Sequence, residues 1–342
     1  LVENITDVIT RIKGRVANLG EFGINIEREL LNVADVDSLE HHFMEICKTR
    51  DFVVLIDDLD LGWNNSDTAN NLILGLLTAA TCVTSKANNV FVCVFLREDV
   101  YSILITKTQH SDKYRNIERL RWEKEDLIKL LGERINFNQS QAGEQQSENP
   151  FLSVFPATVG TSNTDNWLIE RTLGRPRELL QLSRDYSERC KTEIPDAEAL
   201  KAAETGYSEW KLDDLCTEYS NQYPGLVDVF SCWKSKFYRY KYHLKCSELE
   251  QMIREIFSEV AIDHPWFAGY AKSDDVRGLM KILYEIGFIG DFVLGGDGGS
   301  KTVYSYQGSH QPRFEEVDIH PCFRKAVGTV DRIRTKAQET SG

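Results

Sequence analysis

Two short apolar runs organise the pattern of this chain. Phe52 to Ile56 (FVVLI) leads straight into Asp57 and Asp58, and Val90 to Leu96 (VFVCVFL) ends at Arg97, Glu98 and Asp99. Each run is unbroken, rich in β-branched residues and shorter than a core helix, which predicts a buried strand of a parallel sheet. Between them lies a polar loop of Gly62, Asn64, Asn65, Ser66 and Asp67. Leu72, Ile73, Leu76, Leu77 and Ala80 then recur at helical spacing, and Asn88 and Asn89 turn the chain. Upstream, Ile5, Val8, Ile9, Ile12, Val16 and Leu19 share one helical face. Ile24 to Val33 reads as a short strand and a turn, and Asp37 or Ser38 caps a helix facing inward through Leu39, Phe43, Ile46 and Cys47. Helix, strand, helix, strand in this order predicts a parallel α/β sheet.

The pattern changes downstream. Tyr114 to Ile135 predicts an amphipathic helix through Trp122, Leu127, Leu130, Leu131 and Ile135, and Asn138 to Pro150 is a polar loop. Gly174 and Pro176 break the chain just ahead of a helix carrying Leu179, Leu180 and Leu182. From Tyr207 the helical region becomes aromatic-rich. Ser247 to Val260 and Asp274 to Ile286 follow as helices, the second capped by Ser273 and ended by Gly287. Phe288 to Leu294 and Thr302 to Tyr306 flank a glycine-rich tip, His320 to Phe323 open a closing helix, and the tail from Asp331 is polar. The expected division is 1–140, 141–206 and 207–342.

Composition narrows the function. The 342 residues are 42% hydrophobic and 27% charged, ordinary for a globular protein. A net charge of −13 argues against bulk attraction to nucleic acid or an anionic membrane. Eight scattered cysteines without a CxxC pair point to reduced thiols and a cytoplasmic setting. No apolar run reaches membrane-spanning length and no signal peptide is visible. The seven histidines form no HExxH, there is no Gly-x-Ser-x-Gly elbow, and Cys/His spacing gives no zinc signature.

The candidate chemistry sits where the two runs end. Ligands of parallel sheets bind at the carboxyl ends of the strands. Paired carboxylates there are costly unless neutralised, which a hydrated Mg2+ on a nucleotide phosphate does. Phe52 to Asp60 (FVVLIDDLD) resembles the Walker B strand of a P-loop ATPase. That resemblance implies that Asp57 holds Mg2+, through water, and that Asp58 orients or deprotonates the attacking water. In additional-strand, AAA+-related P-loop ATPases the end of the second strand holds sensor 1, and Arg97 stands there. Gly174-Arg175-Pro176-Arg177 opening a helix is similar to the sensor 2 segment of origin-recognition and STAND-type ATPases. The likeness implies that Pro176 packs near adenine and Arg177 reaches the phosphates, with Arg175 the rival arginine. Arg119 or Arg121 is a candidate arginine finger toward a neighbouring subunit. Three helices followed by a glycine-rich hairpin look like a winged helix.

The chain therefore resembles the C-terminal part of a STAND- or KAP-like P-loop ATPase: a partial parallel α/β sheet, a helical sensor 2 region and a winged helix. The expected cofactors are ATP, bridging the core and the sensor 2 region, and Mg2+. The expected role is nucleotide-driven switching in bacterial signalling or anti-phage defence, with a homo-oligomer or an effector protein as partner. Gly295 to Thr302 (GGDGGSKT) comes close to a phosphate loop, but Ser300 stands where the second glycine belongs and a strand follows instead of a helix. The phosphate loop is expected ahead of Leu1.

Plainer readings compete at each point. Asp57 and Asp58 also fit an acidic strand-to-loop junction, with Asp60 a loop cap. Arg97 fits an ion pair with Glu98 or Asp99. Arg175 and Arg177 fit a helix start paired with Glu170 or Glu178. Lys234, Lys236, Arg239, Lys241 and Lys245, interleaved with Phe237, Tyr238, Tyr240 and Tyr242, fit either nucleic-acid binding or a helix with inward aromatics and solvated lysines. The alternatives of another class are a winged-helix nucleic-acid-binding protein and a nucleotide-free interaction module.

Overall fold

The structure, a computed structural model, describes residues 41–48, 50–108, 114, 116–145, 147–191, 194–260, 264–295, 299–308 and 310–330. The helix expected over Ile5 to Leu19, the strand over Ile24 to Val33, the Asp37 or Ser38 cap and the tail from Asp331 lie outside these residues. The chain divides into two units. Described residues up to 61, together with 67–100, form the first; residues 62–66 and those from 101 onward form the second.

In the first unit, β1 (Phe52–Ile56), α1 (Asp67–Lys86) and β2 (Val90–Val94) form the expected strand–helix–strand unit. The strands pair in parallel, with Phe52 opposite Val90 and Ile56 opposite Val94. One sheet face packs on helical residues: Phe52, Val90 and Val92 meet Phe43, Met44 and Cys47 of the 41–47 helix, with Val83 and Ala87. The other face differs from expectation. Val53 is 66% exposed, Leu55 64% and Phe91 57%, so the strands are not buried on both sides. Alternation explains this, because a single layer of helices covers only every second residue of a strand.

The second unit follows α2 (Glu98–Lys107), whose first residues belong to the first unit. A helical part comes first: α3 (Lys124–Gln141), α4 (Pro150–Val154), a small hairpin of β3 (Thr158–Val159) and β4 (Ser162–Asn163), α5 (Thr164–Ile169), α6 (Pro176–Arg189) and α7 (Ala197–Glu218). Helix α3 starts later than the apolar periodicity predicts, leaving Arg119, Arg121 and Trp122 in a non-helical lead. Glu125 and Asp126 mark its true first turn, where acids complement the helix dipole. Asp196 caps α7 by accepting from the Glu198 amide, and α7 crosses position 207 without a break.

Then come α8 (Leu226–Lys236), β5 (His243–Lys245), α9 (Cys246–Glu259), α10 (Pro265–Ser273), α11 (Val276–Glu285), β6 (Ile289–Val293), β7 (Lys301–Val303), β8 (Glu316–Ile319) and α12 (Pro321–Arg324). The four strands form an antiparallel sheet in the order β5-β8-β6-β7. The sequence pattern finds α9, α11 and the β6–β7 hairpin to within a few residues and misses α10, β5 and β8. The cap of α11 is Asp275, accepting from the Gly278 amide at 2.9 Å, and not Ser273, which ends α10. Gly287 adopts a left-handed φ of 81° and closes α11 as expected. Strand β7 stops at Val303 because Ser305–Gln307 form a 3-10 turn. One continuous core runs from Leu127 to Val327, with the Phe288 ring packed against Phe230, Trp233 and Phe323. Buried Asp291 accepts from the Arg313 and Phe314 amides and pairs with His310, which holds Phe314 in a left-handed turn. No helix among the described residues is long and apolar enough to cross a membrane.

His320, fully buried, opens α12. Its Nδ1 accepts from the Cys322 amide at 3.2 Å, so its Nε2 carries the proton and donates to the Tyr306 hydroxyl at 2.9 Å. Tyr306 in turn donates to the Thr172 carbonyl at 3.4 Å. Burial, reinforced by the Arg324, Lys211 and Arg171 cations, holds the imidazole well below its ordinary titration range. The sign follows: below about pH 6.5 the unfolded chain binds a proton here that the folded chain refuses, so stability falls with pH. His320 is expected to contribute a loss of up to about 1.4 kcal/mol per pH unit in that window. Urea midpoints at pH 7.5 and 5.5 measure the slope, and His320→Gln should flatten it.

Candidate functional site

The carboxyl edge of the strand pair gathers the first set of predicted residues. The β1–β2 register sets Ile56 level with Val94, and the Phe95 amide extends the ladder to the Ile56 carbonyl at 2.8 Å. Asp57 and Asp58 leave β1 and Arg97 leaves β2 at this same edge, where ligands of α/β sheets bind. Asp58 has a left-handed φ of 59°, and its amide donates to Asp57 Oδ1 at 2.8 Å. Aspartate tolerates this conformation better than most side chains, and the Asp57 carboxylate accepts the amide of the turned residue. Arg97 grips Asp99 in a fork, Nε to Oδ1 at 3.1 Å and Nη2 to Oδ2 at 2.9 Å, and its Nη1 lies 3.6 Å from Asp60 Oδ2. The ion pair anticipated with Asp99 is therefore present, and Asp60 joins it. One or two carboxylates are what a phosphate-bound Mg2+ commonly asks of a protein, since water and phosphate supply its other ligands. Asp57 fits that demand and leaves the Asp58 carboxylate for a water.

The second set lies in the helical part of the second unit. Gly174, with φ 71°, turns the chain into α6, whose cap position is Arg175 and whose first residue is Pro176. Arg175 Nη1 donates to Glu218 Oε2 at 2.8 Å, and Arg177 Nη2 to Asp214 Oδ1 at 3.0 Å. Burial works against the Arg175 charge, but the Glu218 and Glu178 carboxylates outweigh it and raise its pKa. Beneath the arginines, Lys211 Nζ reaches Glu178 Oε1 at 2.8 Å and Asp214 Oδ2 at 3.0 Å. Both Lys211 and Glu178 are buried, and Glu178 also accepts from the Leu173 amide. Desolvation, and then the Arg175 charge, pull the Lys211 ammonium down, and the Glu178 and Asp214 carboxylates together outweigh them, so the pKa is raised. Nearby, Arg171 pairs with Glu204 and lies over the Trp167 ring at 3.8 Å.

The sequence reading foresaw Glu178 as a partner and missed Lys211, Asp214 and Glu218. Their signal was the spacing i, i+3, i+7, which sets all three on one face of α7. The finger candidates sit in the lead to α3, where the Arg119 guanidinium lies 5.9 Å from the centre of the Tyr101 ring. In the basic stretch, Lys236 pairs with Glu259, Lys241 with Glu248 at 2.7 Å and Lys234 with Glu209 at 3.7 Å. Phe237 is buried, and Tyr240 and Tyr242 pack against the core. Arg324 stacks over Tyr242 at 3.5 Å. Three of the four aromatics thus face the core and three lysines are paired, but Tyr238 is 66% exposed and the stretch is no helix beyond Lys236.

Residues 125–216 match the FunZ-associated C-terminal helical domain. The matched segment holds Arg175, Pro176, Arg177, Glu178, Lys211 and Asp214, and stops short of Glu218. It does not reach the Phe52–Asp60 strand end. The chain is also similar to the putative transposon gamma-delta 80.3 kDa protein of Escherichia coli (strain K12), at 23% identity over 308 residues. That alignment covers 84% of this chain and 42% of the relative, so the chain spans less than half of the relative's length.

Removing one partner of a buried ion pair strands the other charge. Lys211→Met should cost about 3–5 kcal/mol in urea unfolding. Adding Glu178→Gln, which removes both charges, should recover most of that loss.

Proposed function

We propose that this chain is part of a nucleotide-dependent switch, a P-loop ATPase of STAND- or KAP-like type. The observation that carries the reading is the meeting of Asp57, Asp58 and Arg97 at the carboxyl edge of a parallel strand pair joined through a helix. Three further features support it. Asp58 has a backbone conformation of the sort that collects at functional sites. Arg175 and Arg177 flank Pro176 at the opening of α6, and the Arg175 side chain gives the first-turn amides no capping hydrogen bond. The exposed apolar face of the sheet fits the layered α/β architecture of that class, in which a parallel sheet is covered on both faces.

Asp57 would hold Mg2+, which when bound would offset phosphate charge. In this reading Asp57 keeps the hydrated ion in place, and Asp58 turns the attacking water and accepts its proton. Arg97 registers the terminal phosphate. In the second unit, the sensor 2 likeness gives Pro176 a place near adenine and Arg177 a phosphate role, with Arg175 its rival. The last segment reads as a winged helix with an extra wing strand, a reading supported by the strand order and by three helices between β5 and β6. The transposon named in the relative's description fits a role tied to mobile DNA, such as signalling or defence against it. An oligomer or an effector protein is the partner this class implies.

The reading is tested in the full-length protein that carries this chain. Asp58→Asn should lower ATP turnover by about a hundredfold or more while leaving ATP binding intact. Unchanged turnover would remove Asp58 from the mechanism.

A further inference from the structure

We propose that Asp214 and Glu218 are resident stand-ins for phosphate, holding the guanidiniums of Arg177 and Arg175 until a polyphosphate displaces them. The inference rests on the nucleotide reading above and adds how that site is regulated. Carboxylate and phosphate oxygens accept the same charge-assisted hydrogen bonds from arginine, so one guanidinium serves either anion. The two acids lie four residues apart on α7, and the two arginines they hold flank Pro176. Exposure is unequal within each pair. The Arg177 side chain is 76% exposed and Arg175 46%, against 19% for Asp214 and 16% for Glu218. The arginines are therefore the partners able to swing outward, and the acids are the fixed ones.

Lys211 makes the exchange reversible. Its ammonium holds Asp214 Oδ2 while Arg177 holds Oδ1, so Asp214 keeps a cation when Arg177 leaves. The Trp210 ring, 5.6 Å from the Arg177 guanidinium, also stays behind on α7 as a surface to which the arginine returns. A ligand carrying one phosphate replaces one carboxylate, and a di- or triphosphate replaces both. The pairs thus set a threshold that favours polyphosphates over monophosphates, and occupancy is reported to α7 as the loss of two ion pairs.

The test is calorimetric binding of ATP and AMP to the full-length protein carrying Asp214→Asn, Glu218→Gln or Arg177→Ala. Each neutralised acid should tighten ATP about five- to tenfold and AMP less, while Arg177→Ala weakens ATP. Modification of Arg177 by phenylglyoxal, which needs a free guanidinium, should quicken in Asp214→Asn without any nucleotide. Urea midpoints identify the folded variants, and Glu218→Gln carries the test if Asp214→Asn does not fold. ATP affinity that is unchanged or weaker in the folded acid variants overturns the stand-in role and leaves the nucleotide site intact. Absence of ATP binding in wild type and variants alike overturns the nucleotide reading, and the inference with it.

Discussion

A lysine and a glutamate with almost no solvent contact hold the second unit together at its most consequential loop. Taking the Lys211 and Glu178 charges out of water costs several kcal/mol each before any return. The return comes from three short contacts. Glu178 takes the Lys211 ammonium and the Leu173 amide, and Lys211 also takes Asp214. The same loop is held from its other side. Thr172 meets the Tyr306 hydroxyl, and the Tyr306 ring lies 3.7 Å from where a β-carbon on Gly174 would stand. A β-carbon would touch that ring at ordinary van der Waals distance, so the left-handed φ of 71° is what favours glycine here. Loop 172–175 is thereby fixed between α7 and the strand-rich part of the chain. The direction in which Arg175 and Arg177 leave the surface follows from that fixation.

The first unit works by a different economy. Its strands contribute little buried surface, and their pairing serves mainly to bring two chain ends level. Asp57, Asp58 and Arg97 are 40 or so residues apart in sequence, yet the parallel register sets them at one edge. Arg97 is already engaged by Asp99 and Asp60, which keeps a cation beside the acids without neutralising Asp57 or Asp58 directly.

Much of this was legible from the residues alone, and the failures have physical causes. The FVVLI and VFVCVFL runs announced parallel strands because β-branched residues in unbroken series have few other uses. Their burial was overestimated, since a run that suits a fully covered strand says nothing about what covers it. Helix α3 was begun too early because Trp122 continues the apolar rhythm of Leu127 and Leu130, while the start is set by acids in the first turn. Strands β5 and β8, of three and four residues, pair across 75 positions and leave no local pattern. For the candidate site, the arginines could be read from Gly-x-Pro-Arg spacing. The acids that hold them lie 37 and 43 residues away, on a helix whose apolar and polar positions hardly segregate.

The uncovered side of the β1–β2 pair has a practical meaning. A flat row of Val53, Leu55 and Phe91, beside strand edges that pair with no other described strand, is an adhesive template. Handled as an isolated polypeptide, this stretch would tend to collect on itself or on chaperones, and precipitation during purification would track the sheet rather than the well-packed helical part. Cutting the chain near residue 101 and keeping the downstream portion removes that liability while retaining the whole of the core that runs from Leu127 to Val327.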